Sequence, residues 1–253
     1  GNPPRTRDAV KDVSLQVRSG ETVALVGESG AGKSTVGRLV LRLIESDAGE
    51  VRLLGRDIAQ LRGRELRRMR ARATMIFQDP YKSLNPRSLI RTSLAEPLRA
   101  QGQRRGPERD EKIAALIRRV GLSVDYLDRF PYEMSGGQLQ RVAIARALAT
   151  DPQFVVCDEP VAALDMSIRS HVINLLRELQ RERNLAYLFV SHDLSLVRVI
   201  ADRIAVMRAG EIVECRPTAE LFEDPQHDYT RELITAIPAS HPRRRTFRPP
   251  PAA

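Results

Sequence analysis

Apolar residues in this chain fall into short solid runs, separated by longer stretches with helical spacing. The runs Val23-Ala24-Leu25-Val26, Thr74-Met75-Ile76-Phe77, Phe154-Val155-Val156-Cys157, Tyr187-Leu188-Phe189-Val190 and Ile204-Ala205-Val206-Met207 do not alternate with polar residues. They read as buried strands. Val13-Ser14-Leu15-Gln16-Val17 does alternate and predicts a half-buried strand, turned by Ser19-Gly20 into the run that follows. Val51 to Leu54 and Gly55 to Ile58 suggest a short hairpin. Glu211-Ile212-Val213 pairs with the last buried run around Ala209-Gly210. A helix-like run goes from Val36 to Ile44, and Arg62 to Arg72 predicts a helix with a basic outer face. From about 84 to 134 the spacing is helical. Pro107 suits a first helical position, Ile113, Leu116, Ile117 and Val120 share one face, and Gly121 ends the run. This stretch is expected to be a separate helical subdomain. Val142 to Ala149 and Ile168 to Leu179 are further helices, the second with Ile168, Val172, Leu175, Leu176 and Leu179 on one face. A short helix is expected from Thr230 to Ala236. Residues 1–9 read as a polar arm, and the Pro/Arg-rich tail reads as disordered or ordered by a partner. There is no internal repeat.

Between the first buried run and its helix lies Gly27-Glu28-Ser29-Gly30-Ala31-Gly32-Lys33-Ser34-Thr35. Strand, tight glycine loop and helix form the context that a phosphate-binding loop requires. Gly27, Gly30 and Gly32 let successive N–H groups point inward at phosphate oxygens, and the helix start adds its positive dipole end. Lys33 can reach β- and γ-phosphates and the Ser34 hydroxyl can ligate Mg²⁺. An ordinary glycine-rich turn has no reason to satisfy every fixed position at once. The chain is therefore expected to bind a nucleoside triphosphate.

Composition narrows the setting. The 253 residues are enough for one large domain or a core with a subdomain. No apolar run approaches the ~18 residues of a membrane helix, and no signal peptide is visible, so a soluble protein is expected. Cys157 and Cys215 fit a reducing compartment, and no spacing suggests a structural metal site or an iron–sulfur cluster. Net charge is +9, concentrated in Arg62 to Arg72 and Arg243-Arg244-Arg245. A basic face suits nucleic acid or an anionic membrane surface, but a solvated arginine-rich surface is the plainer reading. Aromatics make up 4% and are not interleaved with the basic runs, against single-strand binding. Gly1 rather than Met stands first, so a tagged chain or a piece of a longer one is expected as one option.

Several polar residues sit just after buried runs. Asp158-Glu159 ends one, Gln78 another, Ser191-His192 a third. The carboxyl ends of parallel strands converge on one crevice, so these residues are expected at the nucleotide site. A strand-end Asp158 can hold the Mg²⁺ shell and an adjacent Glu159 can polarise the attacking water. His192 would aim at the γ-phosphate. Ser135-Gly136-Gly137-Gln138 opens a well-packed helix, whose N-terminus is a second anion site. One glycine loop leaves the γ-phosphate open on one side, and this second helix tip could cover it only from another subunit.

Ser135-Gly136-Gly137-Gln138 between a phosphate loop and Asp158-Glu159, then Ala163-Leu164-Asp165 and Ser191-His192-Asp193, resembles the nucleotide-binding domain of ABC ATPases over nearly the whole chain. The resemblance implies an α/β fold: a P-loop NTPase core with a mostly parallel sheet, a small antiparallel β subdomain and an inserted α-helical subdomain. It implies a first core part with the antiparallel subdomain at 1–83, the helical subdomain with the signature at 84–150, a second core part at 151–226 and a C-terminal extension and tail at 227–253. It implies that Gly27, Ser29, Gly30, Gly32, Lys33, Ser34 and Thr35 hold the phosphates of ATP. Ser34 and Gln78 would coordinate Mg²⁺ with Asp158 behind them, Glu159 would activate water, and His192 would be the switch residue, with Lys33 and Gln78 completing the catalytic set. Ser135, Gly136, Gly137 and Gln138 would reach ATP on the other subunit, and Asp165 would lie at the dimer seam.

Phe77-Gln78-Asp79-Pro80-Tyr81-Lys82-Ser83-Leu84-Asn85-Pro86-Arg87 and His227-Asp228-Tyr229-Thr230 with Leu233 and Ile237-Pro238 look like the oligopeptide/dipeptide importer branch. That implies an ATPase at the cytoplasmic face of the cell membrane. Its partners would be a second ABC ATPase domain (identical, paralogous or fused in the same polypeptide), integral membrane permease subunits and, indirectly, an extracytoplasmic solute-binding protein. No nucleic-acid partner is expected. Two other readings stand beside it: an accessory ABC ATPase of a soluble enzyme assembly of the phosphonate-breakdown type, and an ATP-dependent clamp on nucleic acid. The chain departs from the pattern in three places. Residues 1–26 hold no aromatic to stack on adenine: either that strand is missing from this chain, or Arg5 or Arg7 substitutes through cation stacking on the base. No cysteine cluster follows the terminal helix, and Leu139 stands where Arg is more usual.

Overall fold

The computed structural model describes residues 8–237. Arg5, Arg7, Pro238 and the arginines at 243–245 lie outside the described residues. In chain order the elements are β1 (Thr22–Val26), α1 (Lys33–Val40), β2 (Arg52–Leu53), β3 (Arg56–Asp57), α2 (Gly63–Arg72), β4 (Ala73–Ile76), α3 (Pro80–Ser83), α4 (Ile90–Ala100), α5 (Pro107–Arg119), α6 (Gly136–Leu148), β5 (Phe154–Asp158), α7 (Met166–Arg183), β6 (Ala186–Ser191), α8 (Leu194–Ile200), β7 (Arg203–Arg208), β8 (Glu211–Pro217), α9 (Thr218–Glu223) and α10 (Asp228–Thr235). Two 3₁₀ turns, Val124–Asp128 and Pro131–Glu133, lead into α6.

The main sheet has six strands in the order β4-β5-β6-β1-β7-β8, and β2-β3 form a separate antiparallel pair. Five of the six run parallel; only β8 is antiparallel, to β7. The solid apolar runs follow from this layout, because both faces of the sheet are covered. Alternate residues serve different cores. Ala24, Val155, Cys157, Tyr187, Phe189 and Val206 point to one that includes Ile90, Leu94, Ile117, Leu139 and Ile144 of the helical insertion. Leu25, Val156, Leu188, Val190 and Ala205 point to the other, with Leu53, Ile58, Leu61 and Met69.

Four local expectations change. Val13 to Val17 is not a strand: Val13, Leu15 and Val17 are half-buried against the second core, but the segment joins no ladder. Burial alternates there without a strand ladder; Arg203 Nη1 of β7 donates to the Gln16 carbonyl at 3.2 Å instead. The first helix stops at Val40, not Ile44, because Arg42 takes a left-handed φ of 50° and its guanidinium donates to the carbonyls of Ile58 at 2.9 Å and Leu61 at 2.6 Å. The α7 helix runs past both expected ends, and α10 starts at Asp228. The α8 and α9 helices were not predicted. Yet Asp193 caps α8 by accepting from Leu196 N, and Leu194, Val197 and Ile200 are buried at helical spacing.

Candidate functional site

At the carboxyl end of β1 the chain makes its tightest passage. Gly27 has φ 151°, and a Cβ there would stand 2.1 Å from the Met207 carbonyl oxygen. Gly32 has φ 103°, and its Cβ would meet the Ala9 carbonyl at 2.2 Å. Backbone of β7 and of the N-terminal segment thus crosses the loop where no side chain fits. Replacing Gly27 with Ala is expected to lower stability by about 2–4 kcal/mol through forced displacement of β7, measured as a reduced urea midpoint at unchanged slope.

Lys33, the first residue of α1, is buried. Its Nζ donates to Gly27 O and Glu28 O at 2.7 Å each. Burial holds its pKa below the ordinary lysine value, against the opposing pull of Glu159, Asp158 and Glu28. Ser34 Oγ donates to Asp158 Oδ1 at 2.8 Å, joining the loop to the end of β5. Burial raises the Asp158 pKa, opposed by the Ser34 bond and by Arg38, assisted by Glu159, and opposed by Lys33.

Glu159 follows at a left-handed φ of 47°, which costs a non-glycine residue about 1–2 kcal/mol. Its N–H still donates to Val190 O of β6 at 3.0 Å. The turn brings its carboxylate between two neighbours. Gln78 Nε2, beyond β4, donates to Oε2 at 3.1 Å. His192 Nδ1, beyond β6, lies 2.9 Å from Oε1. A carboxylate only accepts, so Nδ1 carries the proton and Nε2 is the ring's other nitrogen. Three strand ends therefore bring Gln78, Glu159 and His192 into contact, and a fourth brings Lys33 and Ser34 to Asp158.

The remaining predicted residues stand apart from these. Ser135 is the N-cap of α6 in a reciprocal capping box: Gln138 N donates to Ser135 Oγ at 3.3 Å and Ser135 N to Gln138 Oε1 at 2.9 Å. Gly136 is exposed with open space beside it, whereas a Cβ at Gly137 would meet Ile168 of α7 at 2.6 Å. Asp165 is the exposed residue before α7. Among the described residues, no hydrogen bond joins Ser135–Gln138 or Asp165 to the glycine loop. Ser29 and Gly30 are exposed at the loop tip, and Thr35 is half-buried in α1. Sequence reasoning missed one contact: Glu28 N donates to the hydroxyl of buried Tyr229 at 3.1 Å. The sequence points to it only through the His227-Asp228-Tyr229-Thr230 stretch that resembles the importer branch.

A parallel sheet, a glycine loop after its first strand and a helix starting at Lys33 define a P-loop nucleotide-binding protein. Residues 10–162 match the family model described as ABC transporter, and residues 213–252 match that of the oligopeptide/dipeptide transporter C-terminal region. The chain belongs to the ABC transporter ATP-binding family. It is 50% identical over 237 residues to the glutathione import ATP-binding protein GsiA of Pectobacterium atrosepticum, covering 94% of this chain but 38% of that protein. It is 48% identical to the dipeptide transport ATP-binding protein DppF of Lactococcus lactis, covering 92% of this chain and 76% of that one. The chain thus spans well under half the length of GsiA. Among solved structures it is similar to the dimeric ATP-binding cassette MJ0796 in a post-hydrolysis state bound to ADP and Pi. That match has a TM-score of 0.75 and 31% identity, over 83% of this chain and 90% of that one. It is also similar to cbiO1 of Clostridium perfringens, part of the ABC transporter complex cbiONQ. There the TM-score is 0.75 and identity 26%, over 85% and 84%.

Proposed function

We propose that this chain hydrolyses ATP to power import of a peptide or related small solute through a membrane ABC transporter, by closing on a second ABC ATPase domain. One observation carries the reading: a carboxylate held between Gln78 and His192 beside a phosphate loop, on a chain whose C-terminal region matches that of oligopeptide/dipeptide transporters.

In this reading ATP lies along Gly27 to Thr35 with its β- and γ-phosphates at Lys33. Nζ then exchanges two carbonyl acceptors for phosphate oxygens, a charge-assisted replacement. Glu159 accepts a proton from water, and its two clamps keep the carboxylate aimed while it does so. The second His192 nitrogen, Nε2, donates to the γ-phosphate only when it too carries a proton. The donor set fits Mg²⁺: a Ser34 hydroxyl, an Asp158 carboxylate and a Gln78 amide oxygen are hard ligands, and the partly desolvated Asp158 would gain from a cation. Ser34, Gln78 and Asp158 would hold the ion, which when bound neutralises charge on the phosphate oxygens. The exposed Ser135 tip of the mate would cover the γ-phosphate, with Asp165 near the seam. Loss of phosphate removes the charge that both halves share and lets them part.

A cleft of about 350 Å³ between the segment after α1, α2, β4 and the helical insertion, lined in part by Leu43, Phe77, Pro97 and Ala147, is a suitable seat for a permease loop. Gln78 directly follows this lining at Phe77, so occupancy of the cleft and position of the Glu159 clamp are mechanically adjacent. Purification from native membranes should recover integral membrane subunits and a second ATPase domain with this chain, placing it at the cytoplasmic face. Recovery with soluble enzymes alone, or a salt-dependent gel shift with duplex or structured RNA, would overturn transport.

A further inference from the structure

The C-terminal helix is tied to the phosphate loop through a single peptide group. The carbonyl of the Gly27–Glu28 peptide accepts from Lys33 Nζ at 2.7 Å, and its N–H donates to the Tyr229 hydroxyl at 3.1 Å. Lys33 and Tyr229 therefore hold the two opposite ends of one amide. Gly27, on one side of that amide, is the residue best able to let it rotate.

Tyr229 is itself well fixed. It lies in the first turn of α10 and is 3% exposed. Its N–H donates to His227 Nδ1 at 3.1 Å, and the Arg208 guanidinium stacks over its ring at 4.8 Å. The turn before the helix is anchored in the sheet. Both carboxylate oxygens of buried Glu214, on β8, are used: Oε1 accepts from Gln226 N at 2.9 Å and Oε2 from His227 N at 3.0 Å. Burial alone would raise Glu214, but those two N–H groups, with Thr230 and Arg216, outweigh it and hold the carboxyl below its ordinary value. None of the hydrogen bonds or ring contacts described for Tyr229 includes Gln78, Asp158, Glu159 or His192.

We propose that Tyr229 is a positioning residue for the phosphate loop, and that through it α10 and the nucleotide site are coupled. With the hydroxyl in place, the Gly27–Glu28 peptide cannot turn freely, so the loop meets phosphate already shaped. Without it the Glu28 N–H turns to water and the loop samples other shapes that ATP must first select against. Coupling of this kind is reciprocal, so nucleotide must also steady α10. The inference rests on the reading of Gly27 to Thr35 as the ATP site.

The test compares the full chain with Tyr229→Phe, which keeps the ring beneath Arg208 and removes only the hydroxyl. Loss of one neutral hydrogen bond predicts a KM for ATP raised about three- to ten-fold, with kcat within about two-fold because no catalytic contact is touched. Hydrogen exchange adds a second readout. A non-hydrolysable ATP analogue should protect residues 226–235 in the unmodified chain and fail to do so in Tyr229→Phe at saturating analogue. A KM unchanged by Tyr229→Phe and raised only by Tyr229→Ala would assign the side chain to packing and overturn the proposal. So would protection of α10 that ignores nucleotide. Failure of the unmodified chain to bind ATP would instead overturn the reading of the loop.

Discussion

Replacing Glu159 with Gln is expected to lower ATP turnover by about 10²- to 10⁴-fold, the range for removal of a positioned general base, while ATP affinity changes little. The geometry makes the substitution unusually clean. Gln has nearly the same shape, so its amide oxygen can still accept one of the two hydrogen bonds now made by the carboxylate. The left-handed backbone at this position is unaffected by a side-chain change beyond Cγ. What disappears is the negative charge and, in the proposed mechanism, the acceptor for the proton of the attacking water. In the proposed mechanism the charge of bound, uncleaved ATP would hold two subunits together, so gel filtration with ATP and Mg²⁺ should show a stable dimer. Phosphate release at the unmodified rate would remove Glu159 from its role.

Replacing Lys33 with Ala is expected to weaken ATP binding by about 10- to 150-fold, corresponding to loss of a hydrogen bond to a charged group worth about 1.5–3 kcal/mol. Isothermal titration would measure it, and an unchanged Kd would count against the loop assignment. The same change removes the donor that satisfies the Gly27 and Glu28 carbonyls, so a loss of stability should accompany it. The pH dependence has a definite sign. Burial holds the Lys33 pKa below the ordinary lysine value of 10.5, so in the free protein its proton is lost earlier on the alkaline side. Affinity for ATP should therefore begin to fall at a lower pH than an exposed lysine would dictate.

The parts legible in the sequence were those in which a local pattern has one physical cause. Solid four-residue runs at 23–26, 154–157, 187–190 and 204–207 meant strands covered on both faces, and the cores divide them residue by residue. Polar residues directly after such runs meant a shared crevice, and Gln78, Glu159 and His192 do meet there. Patterns with two causes misled. Val13 to Val17 alternates because one side rests on the core, which an unpaired segment does as well as a strand. The end of α1 was hidden because Arg42 leaves the helix for two distant carbonyls, and no local signal reports that. The Tyr229 contact spans 201 positions and uses a backbone donor, which side-chain motifs do not record.

The separations along the chain also bear on biosynthesis. Ser34 and Asp158 are 124 positions apart, Gln78 and Glu159 81, Glu159 and His192 33. A chain still emerging from the ribosome carries its glycine loop long before it carries the carboxylate and imidazole that would act there. These distant pairings need loop closure that local folding cannot supply. Because β1, which carries the loop, pairs with β6 and β7, and both follow Glu159 in the chain, the phosphate grip cannot form ahead of the carboxylate: loop and carboxylate are completed in the same late step.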